Sequence, residues 1–213
     1  MQLEVEAMKV LAGPLLSAET AARFEQMQAD LRTLRPRSTL AWQVPMGRPL
    51  ETIGSGGEYE AKAGGKGAHV VTGKISFLWE LEAGRSPIRT VMLKGNATTR
   101  IELVDMTTGH SLGMWRMEVG AEDGPGCCFH VQILGETADL PFPNSLPIPR
   151  LPTIPPTPMS ALELVLGELF QTRWRDQVRS STNTADMWRG VQQKRWTSFL
   201  TWQQDAVRRR GTS

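Results

Sequence analysis

The sequence predicts an α+β fold, with an antiparallel β-meander sheet between an N-terminal helix and a C-terminal helical part that a proline-rich strap joins to the sheet. Two patterns support this prediction. Polarity alternates through residues 69–134, as in half-buried strands, and apolar residues recur every three or four positions on both sides of that region. We expect a single domain over residues 1–213, comprising an N-terminal helix and glycine-rich loop (1–67), the meander (68–136), the strap (137–158) and the C-terminal helices (159–213).

The N-terminal part predicts a short strand followed by a helix. Residues 2–7 alternate in polarity, which is typical of a strand. Ser17 is a preferred N-cap residue, and the helix that follows it should end before Pro36. Its apolar stripe consists of Phe24, Met27, Leu31 and Leu34.

Residues 36–67 are rich in proline and glycine, which indicates a loop with a short extended piece at 40–44. The Gly-Gly-Lys-Gly at 64–67 suggests a phosphate-binding P-loop, but the match fails. Glu60 replaces the first glycine of that motif, and Gly67 replaces its Ser/Thr. We interpret this segment as a flexible hairpin tip.

The meander is predicted from five segments of alternating polarity, which are 69–82, 90–94, 99–105, 112–119 and 127–134. Turn-forming residues such as Gly95-Asn96 and Thr108-Gly109 separate them. Such short connections favour antiparallel neighbours.

The strap contains eight of the fourteen prolines, all within residues 141–158. Proline favours polyproline II, and the interleaved apolar side chains predict that the strap lies on the domain surface. Thr157 and Pro158 supply an N-cap and a first-turn proline for the next helix. A second helix should begin near Thr184 and continue past Trp202.

Composition excludes several classes of protein. No apolar run reaches the length of about 20 residues that a membrane span requires. The acidic N-terminus is unlike a signal peptide, so we expect a cytoplasmic protein with no membrane association. Cys127 and Cys128 are adjacent, which fits neither a disulfide framework nor a zinc site. We expect no metal ion and no cofactor.

Charged residues of three predicted strands should share one face of the sheet, because alternate residues point the same way. These residues are Arg100, Glu102, Arg116, Glu118 and His130. A carboxylate base, a histidine acid and arginines beside phosphate would suit metal-independent RNA cleavage. Opposite charges across strands are also ordinary stabilising pairs, which is the alternative interpretation.

The C-terminal part combines tryptophans with basic residues. Nine basic and three acidic residues give residues 171–213 a net charge of +6, so the rest of a chain whose total is +2 carries −4. Tryptophan and arginine are enriched in binding hot spots. The candidate binding residues are Trp174, Arg175, Trp188, Arg195, Trp196 and Trp202. At helical spacing, however, tryptophan commonly belongs to the core.

Three functions follow as hypotheses. The first is a non-catalytic binding or accessory subunit that docks a protein partner through the C-terminal helices. The second is a nucleic-acid-binding domain that uses the same basic surface. The third is a metal-independent ribonuclease or toxin with the Glu/Arg/His group of the sheet face. The sequence leaves the oligomeric state open.

Overall fold

A computed structural model of the protein describes residues 1–56, 59, 69–84, 91–119, 129–134, 151–152 and 156–210. The helices are α1 (Gln2–Ala12), α2 (Ala18–Thr33), α3 (Pro158–Ser180) and α4 (Thr182–Arg210). The strands are β1 (Thr39–Val44), β2 (Leu50–Glu51), β3 (Val71–Ala83), β4 (Val91–Asp105), β5 (Ser111–Val119), β6 (Phe129–Leu134) and β7 (Leu151–Pro152).

The predicted α+β fold and its antiparallel meander are confirmed. The strands lie in the order β1-β3-β4-β5-β6-β7, and β2 pairs with β3 beyond the end of β1. Every pairing is antiparallel. The hairpin at Thr108-Gly109 turns on Gly109, whose φ of +74° suits a residue without a side chain.

Two predictions about local structure are wrong. Residues 2–7 belong to helix α1, because Val5, Met8 and Leu11 form one buried helical face and the alternation at 2–7 is too short to decide between periods. The segments 90–94 and 99–105 form one strand rather than two. Gly95-Asn96 makes no turn there, and instead lies where the β3–β4 register shifts.

Several predictions fall on residues that the structure does not describe. They concern the glycine-rich tip at 64–67, the Cys127-Cys128 pair, and the strap at 137–150 and 153–155. Within the strap, Leu151–Pro152 is described, and it pairs with the sheet as β7. The extent of the domain stays a prediction.

The core lies between the helices and the odd-numbered face of β3 and β4. Ile75 and Ile101 are buried neighbours on this face, and Trp42 on β1 lies opposite Trp79. The Trp42 indole donates a hydrogen bond to the Met27 carbonyl on α2 at 3.3 Å. Helix α1 packs against α2, α3 and α4, so it lies at the centre of the helical layer.

Helix α3 approaches β3 most closely at Gly73. A Cβ atom at this position would lie 2.4 Å from Cγ1 of Val165 and 3.4 Å from Cδ1 of Leu169. Carbon atoms in contact prefer separations of about 3.5–4.0 Å. The backbone of β3 can therefore meet α3 at this distance only because residue 73 has no side chain.

We expect Gly73→Ala to lower the free energy of unfolding by about 1–3 kcal/mol, because the added methyl group overpacks the contact with Val165. Gly190→Ala in α4 is the matched control, since no described atom beyond its chain neighbours and the local helix backbone lies within 4 Å of its added Cβ. Its higher helix propensity should stabilise the protein by about 0.5–1 kcal/mol. Urea denaturation of both variants measures these changes. A free energy of unfolding that Gly73→Ala leaves unchanged would contradict the close contact.

Candidate binding groove

Helices α3 and α4 form an antiparallel pair with a groove of about 600 Å³ between them. Thr157 caps α3, its Oγ1 accepting a hydrogen bond from the Ser160 amide at 3.2 Å. Gln171 interrupts the helix with a φ of 32° and a ψ of −92°. The groove is lined by Leu11, Pro156, Ser160, Glu163, Trp174, Arg175, Val178, Arg179, Ala185, Trp188, Arg189, Gln192, Arg195 and Trp196.

Three tryptophans share the apolar lining of this groove with Leu11, Pro156, Val178 and Ala185. Trp174 and Trp188 are 9% and 3% exposed, so each presents little more than an edge to a ligand. The Trp188 indole donates a hydrogen bond to Oε1 of Glu163 at 2.9 Å, which fixes the ring between the two helices. Trp196 is 37% exposed and offers a larger surface at the side of the groove.

Exposed arginines surround this apolar surface. Arg175 and Arg179 lie near the carboxylate of Asp176, at 3.7 and 3.9 Å, and Arg189 contacts Asp186 at 2.9 Å. Ion pairs between exposed groups contribute at most about 1 kcal/mol. These three guanidinium groups can therefore exchange their present partners for an anionic ligand at low cost.

At one end of the groove, Arg195 belongs to a partly buried polar network. Its guanidinium donates to Oε1 of Glu4 at 3.2 Å and to Oγ of Ser160 at 2.8 Å, and it also contacts Gln192. Glu4 is 2% exposed. Its Oε2 has no hydrogen-bond partner in the described structure and lies 3.9 Å from the Met1 nitrogen. This network ties α1, α3 and α4 together.

Burial affects both ionisable groups inside the groove. Loss of solvation raises the pKa of Glu163, although the Trp188 hydrogen bond and the charges of Arg195 and Arg189 oppose the rise. Loss of solvation also lowers the pKa of Arg195, and the carboxylates of Glu4 and Glu163 act in the opposite direction. Glu163 is thus a carboxylate whose charge the folded protein disfavours.

The structure brings together five of the six binding residues that the sequence predicted, namely Trp174, Arg175, Trp188, Arg195 and Trp196. The side chain of Trp202 lies outside the described part. Two acidic residues of this region were not predicted from the sequence, namely the buried Glu4 and the partly buried Glu163. The sequence did indicate that Glu163 lies near the apolar stripe of α3, because it directly follows Leu162, which belongs to that stripe.

The charged residues of the sheet face lie where alternation placed them. Arg100 is opposite Arg116, and Glu118 is opposite His130. Nε of Arg116 lies 3.0 Å from Oε1 of Glu118, and Nε2 of His130 lies 3.3 Å from Oε2 of the same carboxylate. Glu102 is one row further along, opposite Met114.

His130 is only 2% exposed, which counts against its use as a catalytic acid. A general acid must come within hydrogen-bond reach of the substrate atom that it protonates. The assignment of catalytic roles on this face stays a prediction, and its supporting geometry is the Arg116–Glu118–His130 cluster.

The other histidines lie near the β4–β5 hairpin. Nδ1 of His69 lies 2.6 Å from Oδ2 of Asp105, and this hydrogen bond lowers the pKa of Asp105 together with those from the Thr107 and Thr108 amides. His110 closes the hairpin through its carbonyl, which accepts from the Asp105 amide at 2.9 Å. Among the described residues, no cluster of three or more His, Cys, Asp or Glu side chains could hold a metal ion.

Comparison with known protein families, curated proteins and solved structures finds no match to this chain. In the described part of the chain, no helix has both the length and the apolar character needed to cross a membrane.

We expect Glu163→Gln to raise the melting temperature at neutral pH, by on the order of 2 °C. The pKa of Glu163 is higher in the folded state than in the unfolded state. At a pH above the folded-state pKa, the ionised carboxylate therefore lowers the free energy of unfolding, and this loss disappears as the pH falls and the carboxylate becomes protonated. The advantage of the variant should therefore shrink towards acidic pH. Glu168→Gln, an exposed site on the same helix, is the control. A gain that does not change with pH would contradict the role of burial.

We expect Arg195→Met to destabilise the protein by about 3 kcal/mol, because it leaves the Glu4 carboxylate buried without its cation. The double variant Glu4→Met/Arg195→Met should recover most of this loss, since neither buried charge remains. Urea denaturation of both single variants and the double variant measures the coupling between the two residues. Additive effects would show that the Glu4–Arg195 contact has no energetic weight.

Proposed function

We propose that this protein is a non-catalytic binding subunit that docks an acidic segment of a protein partner in the groove between α3 and α4. The observation that carries the proposal is the convergence of Trp174, Trp188 and Trp196 with four arginines in a single groove. Aromatic anchors within a polar rim are the usual anatomy of a protein-binding hot spot.

The charges of the groove support an acidic partner. Within the part of the chain that the structure describes, the arginines on its rim pair with exposed acids, so a partner's carboxylates can replace those contacts. Electrostatic attraction of this kind accelerates association and helps to select the partner. The net charge of +6 over residues 171–213 acts in the same direction.

Burial of the tryptophans favours a protein over a nucleic acid. Binding of single-stranded nucleic acid relies on bases that stack on exposed aromatic faces. Trp174 and Trp188 are too buried to offer such faces, which leaves Trp196 as the one exposed tryptophan among the described groove residues. Nucleic-acid binding is therefore the alternative outcome of the test, and RNA cleavage has less support because of the burial of His130. The proposal includes a cytoplasmic location and no cofactor.

The test uses a labelled acidic peptide that contains two phenylalanines, beside labelled single-stranded DNA and RNA, with fluorescence anisotropy at low and high salt. We expect Arg175→Glu/Arg189→Glu to weaken peptide binding at least about tenfold, the equivalent of about 1.4 kcal/mol. The matched control is Arg35→Glu/Lys194→Glu, which also reverses two charges at exposed positions outside the groove.

Three results would overturn the proposal. They are peptide binding that is absent from the wild-type protein, peptide binding that the double variant leaves unchanged, and nucleic-acid binding that is tighter than peptide binding. The third result, with a steep dependence on salt, would favour a nucleic-acid-binding domain. RNA cleavage that His130→Ala abolishes would instead favour the ribonuclease hypothesis.

A further inference from the structure

A second groove, of about 700 Å³, lies between helix α2 and the end of strand β1. It is separate in sequence and in structure from the groove between α3 and α4. It is lined by Glu19, Ala22, Arg23, Gln26, Met27, Gln43, Val44, Pro45, Gly47 and Arg48.

This groove runs along the outer edge of β1. Gln43 lies opposite Leu78 and Val44 lies opposite Phe77, so their side chains point to opposite faces of the sheet. Gln43 is exposed whereas Val44 is 4% exposed. A groove that both residues line must follow the strand edge rather than either face. Within the described chain, β1 is the terminal strand on this side of the sheet.

Hydrogen bonds to β3 show which β1 residues direct their backbone outwards. The Ala83 amide donates to the Ser38 carbonyl at 3.2 Å, so the alternation of an antiparallel pair directs Leu40, Trp42 and Val44 towards β3. The amide of Thr52 likewise donates to Gly73, another odd-numbered residue of β3, at 3.0 Å.

The remaining residues of β1 direct their N–H and C=O groups outwards; they are Thr39, Ala41 and Gln43. Their side chains are exposed as well. No hydrogen bond from these backbone groups to a described residue outside the β1–β3 pairing is present. An edge of this kind is a template for an additional strand.

Two arginines, Arg48 and Arg23, line the groove at one end of the β1 edge. Arg48 is exposed and makes no ion pair within the described structure. Arg23 contacts the exposed carboxylate of Glu19 at 3.4 Å, a pair of low strength. A carboxylate on an incoming strand would therefore find cationic partners at the Arg48 end of the groove.

We propose that an extended segment of a protein partner adds to the sheet along the outer edge of β1, with an acidic side chain next to Arg48. The outward N–H and C=O groups of Thr39, Ala41 and Gln43 supply the hydrogen bonds, as in strand addition to other open edges. Helix α2 forms the opposite wall and receives the side chains that point to the core face.

The experiment selects binders of the immobilised full-length protein from an mRNA-displayed library of random peptides with constant flanks. The selected peptide is then made with an acetylated N-terminus and an amidated C-terminus, so that any carboxylate comes from a side chain. We expect the selected peptides to be acidic. Binding of such a peptide should slow hydrogen exchange of the Ala41 and Gln43 amides at least tenfold. Because proline has no amide hydrogen, Ala41→Pro should weaken binding at least tenfold, whereas Ala41→Ser should not.

Arg48→Glu should also weaken the peptide at least tenfold, and Arg35→Glu, at an exposed position outside the groove, is its matched control. The proposal is overturned if no selected peptide protects the β1 amides, or if binding is lost in Arg175→Glu/Arg189→Glu rather than in Arg48→Glu. Self-association that Ala41→Pro abolishes would assign the edge to a second copy of the chain instead. These outcomes are independent of the α3–α4 groove, so either proposal can fail alone.

Discussion

Helix α3 can lie on the sheet because residue 73 of β3 has no side chain. Val165 and Leu169 fill the space above Gly73, and the apolar face of α3 is buried there. The opposite side of the helix, with Glu163 and Arg175, is left to meet α4. The position of the candidate groove therefore follows from a contact in the core, made on the other side of the same helix.

Helix α4 is held by fewer apolar contacts than α3. Ala185 and Trp188 are its buried apolar residues among those described, and its principal packing partner is α1. The network of Glu4 with Arg195 supplies a second attachment near the other end of the groove. Buried ion pairs are weak sources of stability but are sensitive to geometry. We infer that this network sets where α4 lies on α1 more than how tightly it is held.

The elements that could be predicted from the sequence are those with one buried face and a hydrophobic pattern that extends over several repeats. The alternation in β3 and the helical stripe of α3 each extend over several repeats, so a single period fits them. Residues 2–7 were too few to distinguish the two periods, and Gly95-Asn96 has turn-like composition although β3 continues past it. Local composition contains no information about a pairing partner that is distant in the chain. Here the pairing of β4 with β3 on both sides of Gly95-Asn96 determines that this segment is part of a strand.

The two candidate sites differ in what could be foreseen. Burial of the odd-numbered residues places Arg100, Glu102, Arg116, Glu118 and His130 on one face, so this shared face could be derived from the sequence. Which of them lie opposite each other depends on the strand pairing that the structure shows. Grouping of tryptophan and arginine in the C-terminal helices was also visible. The depth of each tryptophan, and the partnership of Glu4 with Arg195 from opposite ends of the chain, depend on helix packing that no local pattern encodes.

The sheet face and the α3–α4 groove differ in how their charged side chains are paired. On the sheet face, the carboxylate of Glu118 lies between Arg116 and His130, and Gln132 accepts a hydrogen bond from Arg116 at 2.6 Å. The opposite charges of this cluster lie beside one another, as expected of a structural ladder across strands, although the buried Nε of Arg116 makes no hydrogen bond in the described structure. In the α3–α4 groove, the acidic partners of the rim arginines among the described residues are the exposed Asp176 and Asp186. An anionic ligand gains most where the cations have the weakest existing partners, which is why we propose the groove, rather than the sheet face, as the site of an acidic partner.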